Sequence, residues 1–591
     1  MATASDLLVR RLKAWGVERI YGYPGDGING VLGALDRDGT IPFVQVRHEE
    51  EAAFMAAAHA KLTGRVGVCL ATSGPGAIHL LNGLYDAKAD HVPVVALVGQ
   101  AATKVLGSDY QQEVDLKTLF KDVAHEFVEL ASTSAQVRQL IDRAFRTAAG
   151  LRAVTCVILP KDVQEATAVE SQPHEHDTAH SGVGYAPPLV VPYRPELDAA
   201  AEVLNAGRKV AILVGAGALN ATDEVIAVAE RLGAGVAKAL LGKAAVPDDV
   251  PFVTGTIGLL GTRASYRMMA ECDTLLLVGT TFPYFEFLPK EGQARAVQID
   301  LDPRSLGLRY PTEVNLQGDS AATLRALLPL LKVQVDRTWR EQVEANVAAW
   351  REEVDHLSRV DANPLHPQKV FTELDARLPD GCILTGDAGT SINWSARTLR
   401  LRRGMKFTLS GGLASMGSAV PYAVAAKFCF PERIAVALTG DGAMQMNGNA
   451  ELLTIAKYWR EWADPRLIVA VLNNRDLNQV TWEMRILSGN PKYEASQELP
   501  DFGYAAYARS LGLVGIRVDD PAQVGAAWDE AFAANRPVVF EAITDPNVTI
   551  LPPHISFAQA HNFASALLKG DPDGAGVVVE TVKSVAAMLG R

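Results

Sequence analysis

Short apolar runs rich in β-branched residues alternate with longer stretches of helical periodicity along most of the chain. Each run is followed by Gly, Pro, Ser or Asn, which favour turns. Runs that are apolar on both faces are typical of buried parallel strands, so the pattern predicts sheets covered by helices on both sides. Repeated βα units of this kind indicate an α/β fold. The predicted strands include residues 66–71, 92–99, 154–160, 210–215, 274–279, 433–440 and 467–474.

Two polar stretches interrupt the alternation and define the domain organisation. Residues 166–192 are rich in Pro, Gly and His and indicate a linker, and residues 336–364 carry one polar helix and indicate a connector. We therefore predict three parallel-sheet α/β domains, followed by a tail, and the first and third domains are similar in size and pattern. Their predicted bounds are 1–165, 193–335 and 365–550, with the tail at 551–591.

Composition narrows the class of protein. The 591 residues include 56 Lys and Arg against 68 Asp and Glu, and this acidic balance argues against a nucleic-acid-binding protein. No apolar run reaches the roughly 18–20 residues of a membrane span. The N-terminus has the pattern of an amphipathic helix rather than a signal peptide. Five scattered cysteines without a CxxC pair predict a reducing, cytoplasmic setting.

The most informative local motif is Gly440-Asp441-Gly442, which follows one predicted strand, while the next strand ends in Asn474. A carboxylate and an amide oxygen at neighbouring strand ends suit Mg²⁺, a hard ion that takes oxygen ligands. Glycines allow backbone N–H groups to approach a phosphate at a helix start. We predict that Asp441, the Asn474 side chain and the backbone carbonyl of Asp476 bind Mg²⁺.

Two other glycine turns are candidates for different roles. Gly25-Asp26-Gly27 also follows a strand, but no strand ending in two asparagines follows it, so we predict a loop that lines a pocket. The turn at 386–389 follows another predicted strand and is a candidate phosphate turn. The linker histidines His174, His176 and His180 are more typical of a solvated linker than of a metal site, because no cysteine accompanies them.

A GDG turn followed by a strand that ends in two asparagines is the signature of thiamine-diphosphate enzymes, and the chain resembles this superfamily over nearly its whole length. Within it, the sequence is most similar to the pyruvate oxidase and pyruvate:quinone oxidoreductase group, and next to acetolactate synthase. One departure is that the stretch from Asp441 to Asn474 is longer than in the family, with the surplus near 458–465. The segments that carry the resemblance are 47–64, 73–97, 268–287, 297–307 and 415–427.

The resemblance implies a set of residues around thiamine diphosphate. Glu49 would hydrogen-bond the aminopyrimidine ring and relay a proton, although a glutamate at a helix start is also favoured by the helix dipole alone. Met416 would be the apolar wedge under the bent cofactor, and the Ala414 carbonyl would hold its exocyclic amine. Pro75 and Asn82 would line the pyrimidine pocket. The residues implied at the diphosphate are Gly389, Thr390, Gly440, Gly442 and Ala443.

The middle domain has a dinucleotide-binding pattern, with glycines after a strand and an acidic residue at a later strand end. The resemblance implies FAD here, but relatives without FAD keep this domain, so a structural role is the alternative. The residues implied are Gly215, Gly217, Gly258, Gly261, Arg263, Gly279, Thr280, Asp300 and Asp319.

The resemblance implies an oxidoreductase that decarboxylates a 2-oxo acid and passes electrons through FAD to a quinone or another acceptor. The alternative is carboligation of two 2-oxo acids, as in acetolactate synthase. In the family Glu49 and Asp441 come from different subunits, which implies a homodimer or homotetramer. The tail carries an apolar stripe at Val578, Val582, Val585 and Leu589, for which docking on its own chain is favoured over membrane contact.

Two glutamines stand where the resembled enzymes carry apolar pocket walls. Gln111 precedes Gln112 at one wall, and Gln479 with the nearby Glu483 follows the metal-binding turn. A buried amide without a partner costs about 1–3 kcal/mol. The sequence therefore predicts a substrate more polar than pyruvate, unless the two glutamines bond each other or a water molecule and leave a pyruvate-sized cavity.

Overall fold

The structure is a computed structural model of one chain and describes residues 1–548 and 550–588. Three six-stranded sheets, all parallel, form three α/β domains with helices on both faces, which confirms the predicted fold class. Each of the seven apolar runs predicted as strands coincides with a strand, because these residues are buried on both faces of a sheet.

The sheet of the first domain has the strand order β2-β1-β3-β4-β6-β5. Its strands are β1 (Ile20–Gly22), β2 (Phe43–Gln45), β3 (Gly67–Ala71), β4 (Val94–Gln100), β5 (Val128–Leu130) and β6 (Val154–Pro160). Its helices are α1 (Ala4–Ala14), α2 (Asn29–Asp38), α3 (Glu49–Thr63), α4 (Pro75–His79), α5 (Leu81–Ala89), α6 (Leu116–Phe120), α7 (Val137–Leu151) and α8 (Lys161–Glu165).

The sheet of the middle domain has the order β12-β11-β10-β7-β8-β9, so the chain reverses direction across the sheet between β10 and β7. Its strands are β7 (Val210–Val214), β8 (Gly235–Lys238), β9 (Val253–Thr256), β10 (Thr274–Val278), β11 (Arg295–Asp300) and β12 (Val314–Gln317). Its helices are α9 (Arg194–Ala206), α10 (Thr222–Leu232), α11 (Arg263–Glu271) and α12 (Ser320–Leu327), and the connector helix is α13 (Thr338–Leu357).

The sheet of the third domain has the order β14-β13-β15-β16-β18-β17, which is the order of the first domain repeated with six later strands. Its strands are β13 (Ile383–Gly386), β14 (Lys406–Leu409), β15 (Ala435–Gly440), β16 (Leu467–Asn473), β17 (Val514–Val518) and β18 (Val538–Ile543). Its helices are α14 (Pro367–Asp375), α15 (Thr390–Thr398), α16 (Ala419–Cys429), α17 (Asp441–Ala443), α18 (Asn449–Tyr458), α19 (Asn478–Glu483), α20 (Glu494–Gln497), α21 (Tyr504–Ser510) and α22 (Val524–Ala533).

The first and third domains share one hydrophobic core. Helix α3 is rich in alanine and buried on almost every side, as expected for a helix surrounded by protein. It packs against α16 of the third domain, and the two helices belong to a single cluster of buried apolar side chains. The carboxyl edges of the two sheets are therefore held in a fixed relation within one chain.

The tail forms α23 (Phe557–Leu568) and α24 (Gly574–Met588) and docks on the third domain and the connector. Asp571 accepts two hydrogen bonds from Arg485, at 2.8 and 2.7 Å, and these side chains are 0% and 1% exposed. The predicted apolar stripe is not the docking face. Val578, Val582 and Val585 face outward, because α24 turns Val577, Glu580 and Ser584 inward, and Leu589 lies outside the described residues.

No helix within residues 1–548 and 550–588 is both long and apolar enough to cross a membrane.

Candidate active site

The predicted metal ligands meet at the carboxyl edge of the third sheet. Strands β15 and β16 are neighbours, with Gly440 opposite Leu472, so Asp441 and Asn474 emerge side by side. The buried Asp441 carboxylate accepts backbone N–H groups from Asn474 at 2.8 Å, Arg475 at 2.6 Å and Gly442 at 2.8 Å. Burial raises the pKa of Asp441 to about 7. No cationic side chain in the described part of the chain pairs with it, so the carboxylate fits a divalent cation.

The turn after β16 brings Asp476 next to Asn474, because the Asp476 N–H donates to Asn474 Oδ1 at 3.1 Å. The Asp476 carboxylate is used within the turn, where it accepts hydrogen bonds from Asn478 Nδ2 and Thr481 Oγ1, each at 3.0 Å. Its carbonyl accepts the Asn478 N–H at 2.7 Å and keeps a second lone pair. Arg475 has the left-handed φ of 57°, an uncommon backbone state for a residue other than glycine. The geometry fits the predicted set of one carboxylate, one amide and one carbonyl.

Two glycines beside the metal turn leave open space for a diphosphate. A Cβ atom placed on Gly389 or on Gly440 would have no heavy atom within 4 Å. Gly389 is the N-cap of α15 and Gly440 the N-cap of α17, so the first backbone N–H groups of both helices lack helical partners, although that of Gly442 donates to Asp441. Half-buried Thr390 begins α15. This open cradle next to an unpaired carboxylate fits the diphosphate of the predicted cofactor and its Mg²⁺.

Gly442 and Ala443 have a different role from Gly440. A Cβ on Gly442 would lie 2.6 Å from Leu477 Cδ2, so this glycine packs against the Leu477 side chain rather than facing open space. Ala443 is buried in α17. The same Cβ would lie 3.8 Å from Met416 Sδ, which places the predicted wedge directly beside the metal turn.

The loop that carries Met416 is held at both ends by carboxylates. Asp387 accepts the N–H of Gly417 at 2.7 Å and of Ala419 at 3.2 Å, and burial raises its pKa to about 6. Asp90 of the first domain accepts the N–H groups of residues 411 and 412 at 3.0 and 2.5 Å. Between these ties Ala414 has a φ of 54°, and a strained residue that its surroundings hold in place is typical of functional sites.

Glu49 begins α3 and is almost fully buried. Its Oε2 lies 2.9 Å from Nδ1 of His79, the last residue of α4. A Cβ on Gly76 would lie 3.1 Å from Glu49 Oε1, so this glycine keeps the second oxygen accessible. Pro75 is the first residue of α4. The carboxylate thus has one oxygen fixed by an imidazole and one facing a gap beside the predicted pyrimidine pocket.

Asn82 connects the first domain to the wedge loop. Its Nδ2 donates to Glu50 Oε1 at 2.6 Å and to Ser415 Oγ at 2.9 Å. The start of α3 and the residue next to Met416 are therefore linked within one chain. The resemblance implies that Glu49 and Asp441 at one cofactor come from different subunits, and this arrangement stays a prediction.

The predicted pocket walls lie at two separate places in the chain. Gln111 and Gln112 are exposed, and Gln112, with a φ of 62°, accepts a hydrogen bond from Ser73 Oγ at 3.0 Å, next to the turn before Pro75. The Gln479 amide is fully engaged within the third domain. It accepts from Asn393 Nδ2 at 2.5 Å and donates to Glu483 Oε1 at 2.9 Å.

In the middle domain, the glycines predicted at FAD pack against protein. The N–H groups of Gly215, Gly217 and Gly279 donate to backbone carbonyls at 3.0, 3.0 and 2.8 Å. A Cβ on Gly279 would lie 2.5 Å from the Gly217 Cα, and one on Gly258 would lie 3.1 Å from the Phe282 ring. The loops after β7 and β10 meet at the switch point of the sheet, and the N–H groups of Gly215, Gly217 and Gly279 are not free for a diphosphate.

The other residues predicted at FAD also have protein partners. Gly261 donates its N–H to Gly258 at 2.8 Å, and Thr280 Oγ1 accepts the Phe282 N–H at 3.3 Å. Arg263 pairs with Glu353 at 3.0 Å, and Asp319 caps α12. The Asp300 carboxylate, at the end of β11, accepts the backbone N–H of Asp302 at 3.0 Å. It makes no hydrogen bond to another side chain within the described residues. The domain therefore fits the ribose of a dinucleotide at Asp300 better than a diphosphate at the glycines.

Three residues of this site were not predicted from the sequence as site residues. His79 and Asn393 lie one helical turn after Pro75 and Thr390, so helical spacing from each predicted turn was the available signal. Asp387 was visible only as part of the turn at 386–389, and the structure shows that it holds the wedge loop rather than a phosphate.

The fold and this site define a three-domain α/β protein whose third domain can hold a diphosphate through a divalent cation. Models of the thiamine pyrophosphate enzyme domains match in the same order: the N-terminal TPP binding domain at residues 2–119, the central domain at 197–327 and the C-terminal TPP binding domain at 387–542. The chain is 36% identical over 568 residues to the Bacillus subtilis protein YdaP, whose name describes it as thiamine pyrophosphate-containing, with 96% of each chain covered. The chain belongs to the thiamine-pyrophosphate-dependent enzymes.

Relatives whose names give different activities share similar sequence identity with the chain. The chain is 31% identical to the pyruvate oxidase of Lactiplantibacillus plantarum over 551 residues, covering 91% of this chain and 88% of the relative. It is also 31% identical to the acetolactate synthase isozyme 3 large subunit of Escherichia coli over 564 residues, covering 92% and 95%. Identity alone does not separate an oxidase from a synthase.

Proposed function

We propose that the protein is a thiamine-diphosphate-dependent oxidoreductase that decarboxylates a 2-oxo acid and delivers two electrons through FAD to a quinone or another acceptor. The observation that carries the thiamine-diphosphate part is the open cradle of Gly389 and Gly440 beside the unpaired, buried Asp441. When bound, the cofactor supplies a nucleophilic carbon and an electron sink for the carboxyl group that leaves as CO₂.

The residues of the chain divide the remaining tasks. Asp441, Asn474 and the Asp476 carbonyl hold Mg²⁺, and the amides near Gly389 and Gly440 bind the diphosphate. Glu49 holds a proton at the aminopyrimidine nitrogen, and His79 fixes its orientation through the 2.9 Å contact. Met416 supports the bend of the cofactor, and its loop is tied down by Asp387 and Asp90.

We further propose that FAD lies along the carboxyl edge of the middle sheet, with the Asp300 carboxylate as the acceptor for a ribose hydroxyl. Exposed Tyr284, Phe285 and Leu301 lie along the same part of the chain and offer apolar surface to a planar ring. The occupied N–H groups of Gly215 and Gly217 favour the second candidate, an acetolactate synthase-like carboligation without electron transfer to a flavin.

The visible absorbance spectrum of the purified protein separates these two candidates. The oxidoreductase is expected to carry a flavin spectrum that bleaches when a 2-oxo acid is added without oxygen. A protein that is colourless, or whose flavin stays oxidised while a carboligation product accumulates, contradicts the oxidoreductase. Size-exclusion chromatography with light scattering tests the accompanying proposal of a homodimer or homotetramer.

Gln111 and Gln479, at the predicted pocket walls, bear on the choice of substrate. Gln479 is already bonded to Asn393 and Glu483, so it presents a fixed polar network rather than an unpaired amide. Gln111 is exposed and makes no side-chain hydrogen bond within the described residues. We propose that a 2-oxo acid with a hydroxyl, carbonyl or second carboxyl group is preferred to pyruvate. Steady-state kinetics on a 2-oxo acid panel tests this, and a highest kcat/KM for pyruvate that Gln111→Phe leaves unchanged contradicts it.

A further inference from the structure

A second group of metal-ligating side chains lies away from the Mg²⁺ turn. Among the residues that the structure describes, His48, Glu49 and His79 are the one trio of histidine, cysteine or acidic side chains with a ligand atom from each within 4.8 Å of the others. Glu49 Oε2 and His79 Nδ1 are 2.9 Å apart. The rings of His48 and His79 stack with centroids 4.3 Å apart and planes inclined by 29°.

The chemistry of this trio differs from that of the Mg²⁺ site. Two imidazoles and one carboxylate form a ligand set for Zn²⁺, with a fourth position open to water. Mg²⁺ takes oxygen ligands in an octahedral arrangement and is a poor match for two imidazoles. The two sites of the chain therefore select different ions by ligand type.

The three side chains can reach one ion with small movements. Zn²⁺ bonds of about 2.0–2.2 Å place neighbouring ligand atoms about 3.3–3.6 Å apart in a tetrahedron. Glu49 Oε2 and His79 Nδ1, now 2.9 Å apart, must therefore separate slightly, while the wider spacings, which reach at most 4.8 Å, must close by about 1 Å. The His48 and His79 side chains are 41% and 42% exposed, which gives the ion a route from solvent. The stacked rings must tilt apart so that the planes of both imidazoles meet at the ion. His48 uses only Nδ1 in capping α3, at 3.3 Å from the Glu50 nitrogen, so Nε2 is available.

The position of the trio gives the site a consequence for the reaction. Glu49 is only 9% exposed, and its carboxylate would be the anionic ligand of the ion. A cation bound at Glu49 Oε2 lowers the proton affinity of the whole carboxylate, so Oε1 holds the proton of the aminopyrimidine ring less strongly. Ion binding and productive cofactor binding therefore oppose each other, and each weakens the other by the same factor.

We propose that His48, Glu49 and His79 form a Zn²⁺-type site, separate from the Mg²⁺ site, and that its occupation inhibits the enzyme by capturing the proton-relay carboxylate. The inhibition rests on the proposed role of Glu49, whereas the binding of the ion does not. The site makes the enzyme sensitive to inhibition by free transition-metal ions, and Mg²⁺ does not cause this inhibition because it binds imidazoles poorly.

The test measures Zn²⁺ binding to the full chain after removal of metals and cofactor, in competition with a chromophoric chelator. We expect one Zn²⁺ ion per chain at this site. His48→Gln or His79→Gln should lower the Zn²⁺ affinity by at least roughly tenfold, because mutating even a residue that only orients a metal ligand lowers the affinity by this much. Circular dichroism confirms that each variant is folded, and either histidine variant alone suffices. The matched controls are His125→Gln and the combined H174Q, H176Q and H180Q variant, which keep the site.

Saturation with thiamine diphosphate and Mg²⁺ is expected to lower the Zn²⁺ affinity. In the combined H174Q, H176Q and H180Q variant, Zn²⁺ is expected to lower turnover, and a Zn²⁺-selective chelator is expected to restore it. Absence of Zn²⁺ binding in the wild type, or equal affinity in the wild type and both histidine variants, overturns the site. Turnover of Glu49→Gln without Zn²⁺ tests the role of Glu49 separately, so the failure of one idea is distinguishable from the failure of the other.

Discussion

The sheets of the first and third domains join six strands in the same order, but the turns at their carboxyl edges are filled differently. In the first domain, a Cβ on Gly25 would lie 2.5 Å from Thr72 and one on Gly27 would lie 2.6 Å from Ser73. In the third domain, the turn after β13, which corresponds to β1, carries Gly389, and the turn after β15 carries Gly440; both glycines face open space. The repeated topology brings the turns together in both domains, and the neighbouring side chains decide which edge holds a ligand.

The acidic groups at the two edges differ in the same way. Glu49 of the first domain contacts an imidazole, which suits a group that exchanges a proton. Asp441 of the third domain contacts only backbone N–H groups, which suits a group that binds a cation. The two edges thus present acidic groups suited to different chemistry, proton exchange at the first and cation binding at the third.

The largest effect is expected from removing the proton function of the first edge. Glu49→Gln keeps the shape of the side chain but cannot exchange the proton, so turnover should fall by roughly 10²–10⁴-fold while cofactor binding is retained. Steady-state kinetics and cofactor titration measure the two quantities. Glu126→Gln, on the surface of the same domain, is the control, and near wild-type turnover of Glu49→Gln would contradict the proton relay.

The two GDG turns provide a matched test of the metal function. Asp441→Ala should weaken Mg²⁺-dependent cofactor binding by more than roughly tenfold, because the diphosphate is held through the ion. Prolonged chelation of Mg²⁺ should release the cofactor from the wild type. Asp26→Ala, in the turn of the first domain, should retain cofactor binding. Equal losses in the two variants would show that the edges do not differ as described.

The glycines allow packing to be separated from ligand binding. Gly440→Ala should leave the free energy of unfolding nearly unchanged and weaken binding of the diphosphate, because its Cβ enters empty space. Gly215→Ala should lower the free energy of unfolding by about 1–3 kcal/mol, because its Cβ would overlap the Gly279 carbonyl oxygen. Urea unfolding and cofactor titration measure both. A stability loss in Gly440→Ala as large as in Gly215→Ala would contradict the open cradle.

The smallest effect concerns the tie on the wedge loop. Burial raises the pKa of Asp387 from 3.8 to about 6, so above that pH the carboxylate accepts both N–H groups of the loop and below it one oxygen carries a proton. The KM for thiamine diphosphate should therefore rise modestly as the pH falls through about 6. Because the folded state binds this proton more tightly than the unfolded state, the contribution of Asp387 to stability decreases as the pH rises from about 4 to about 6.

Asp387→Asn cannot titrate and serves as the comparison. Its KM for thiamine diphosphate should show no step near pH 6, while the wild type does. The pH dependence of KM is measured at saturating 2-oxo acid, with kcat followed separately. A step of the same size in both proteins would assign the titration to another group.

The sequence predicted the fold because parallel strands buried on both faces leave an uninterrupted apolar run, as at 467–474. It predicted Asp441 and Asn474 because oxygen ligands at adjacent strand ends follow from the chemistry of Mg²⁺. His79 and Asn393 were not predicted as site residues, because helical spacing places them near the predicted turns but does not show that their side chains contact Glu49 and Gln479. In the same way, the sequence around Gly215 and Gly440 does not show whether each glycine faces a ligand or the backbone of another loop.

The ion pair between Arg485 and Asp571 has a consequence for synthesis of the chain. Arg485 lies just after α19, the helix that carries Gln479, but its carboxylate partner is in the tail and is synthesised 86 residues later. A chain that ends before residue 571 keeps the arginine without its counter-charge, and removing one partner of a buried pair costs about 3–5 kcal/mol. Products truncated before residue 571 would thus have a destabilised third domain, which favours their degradation.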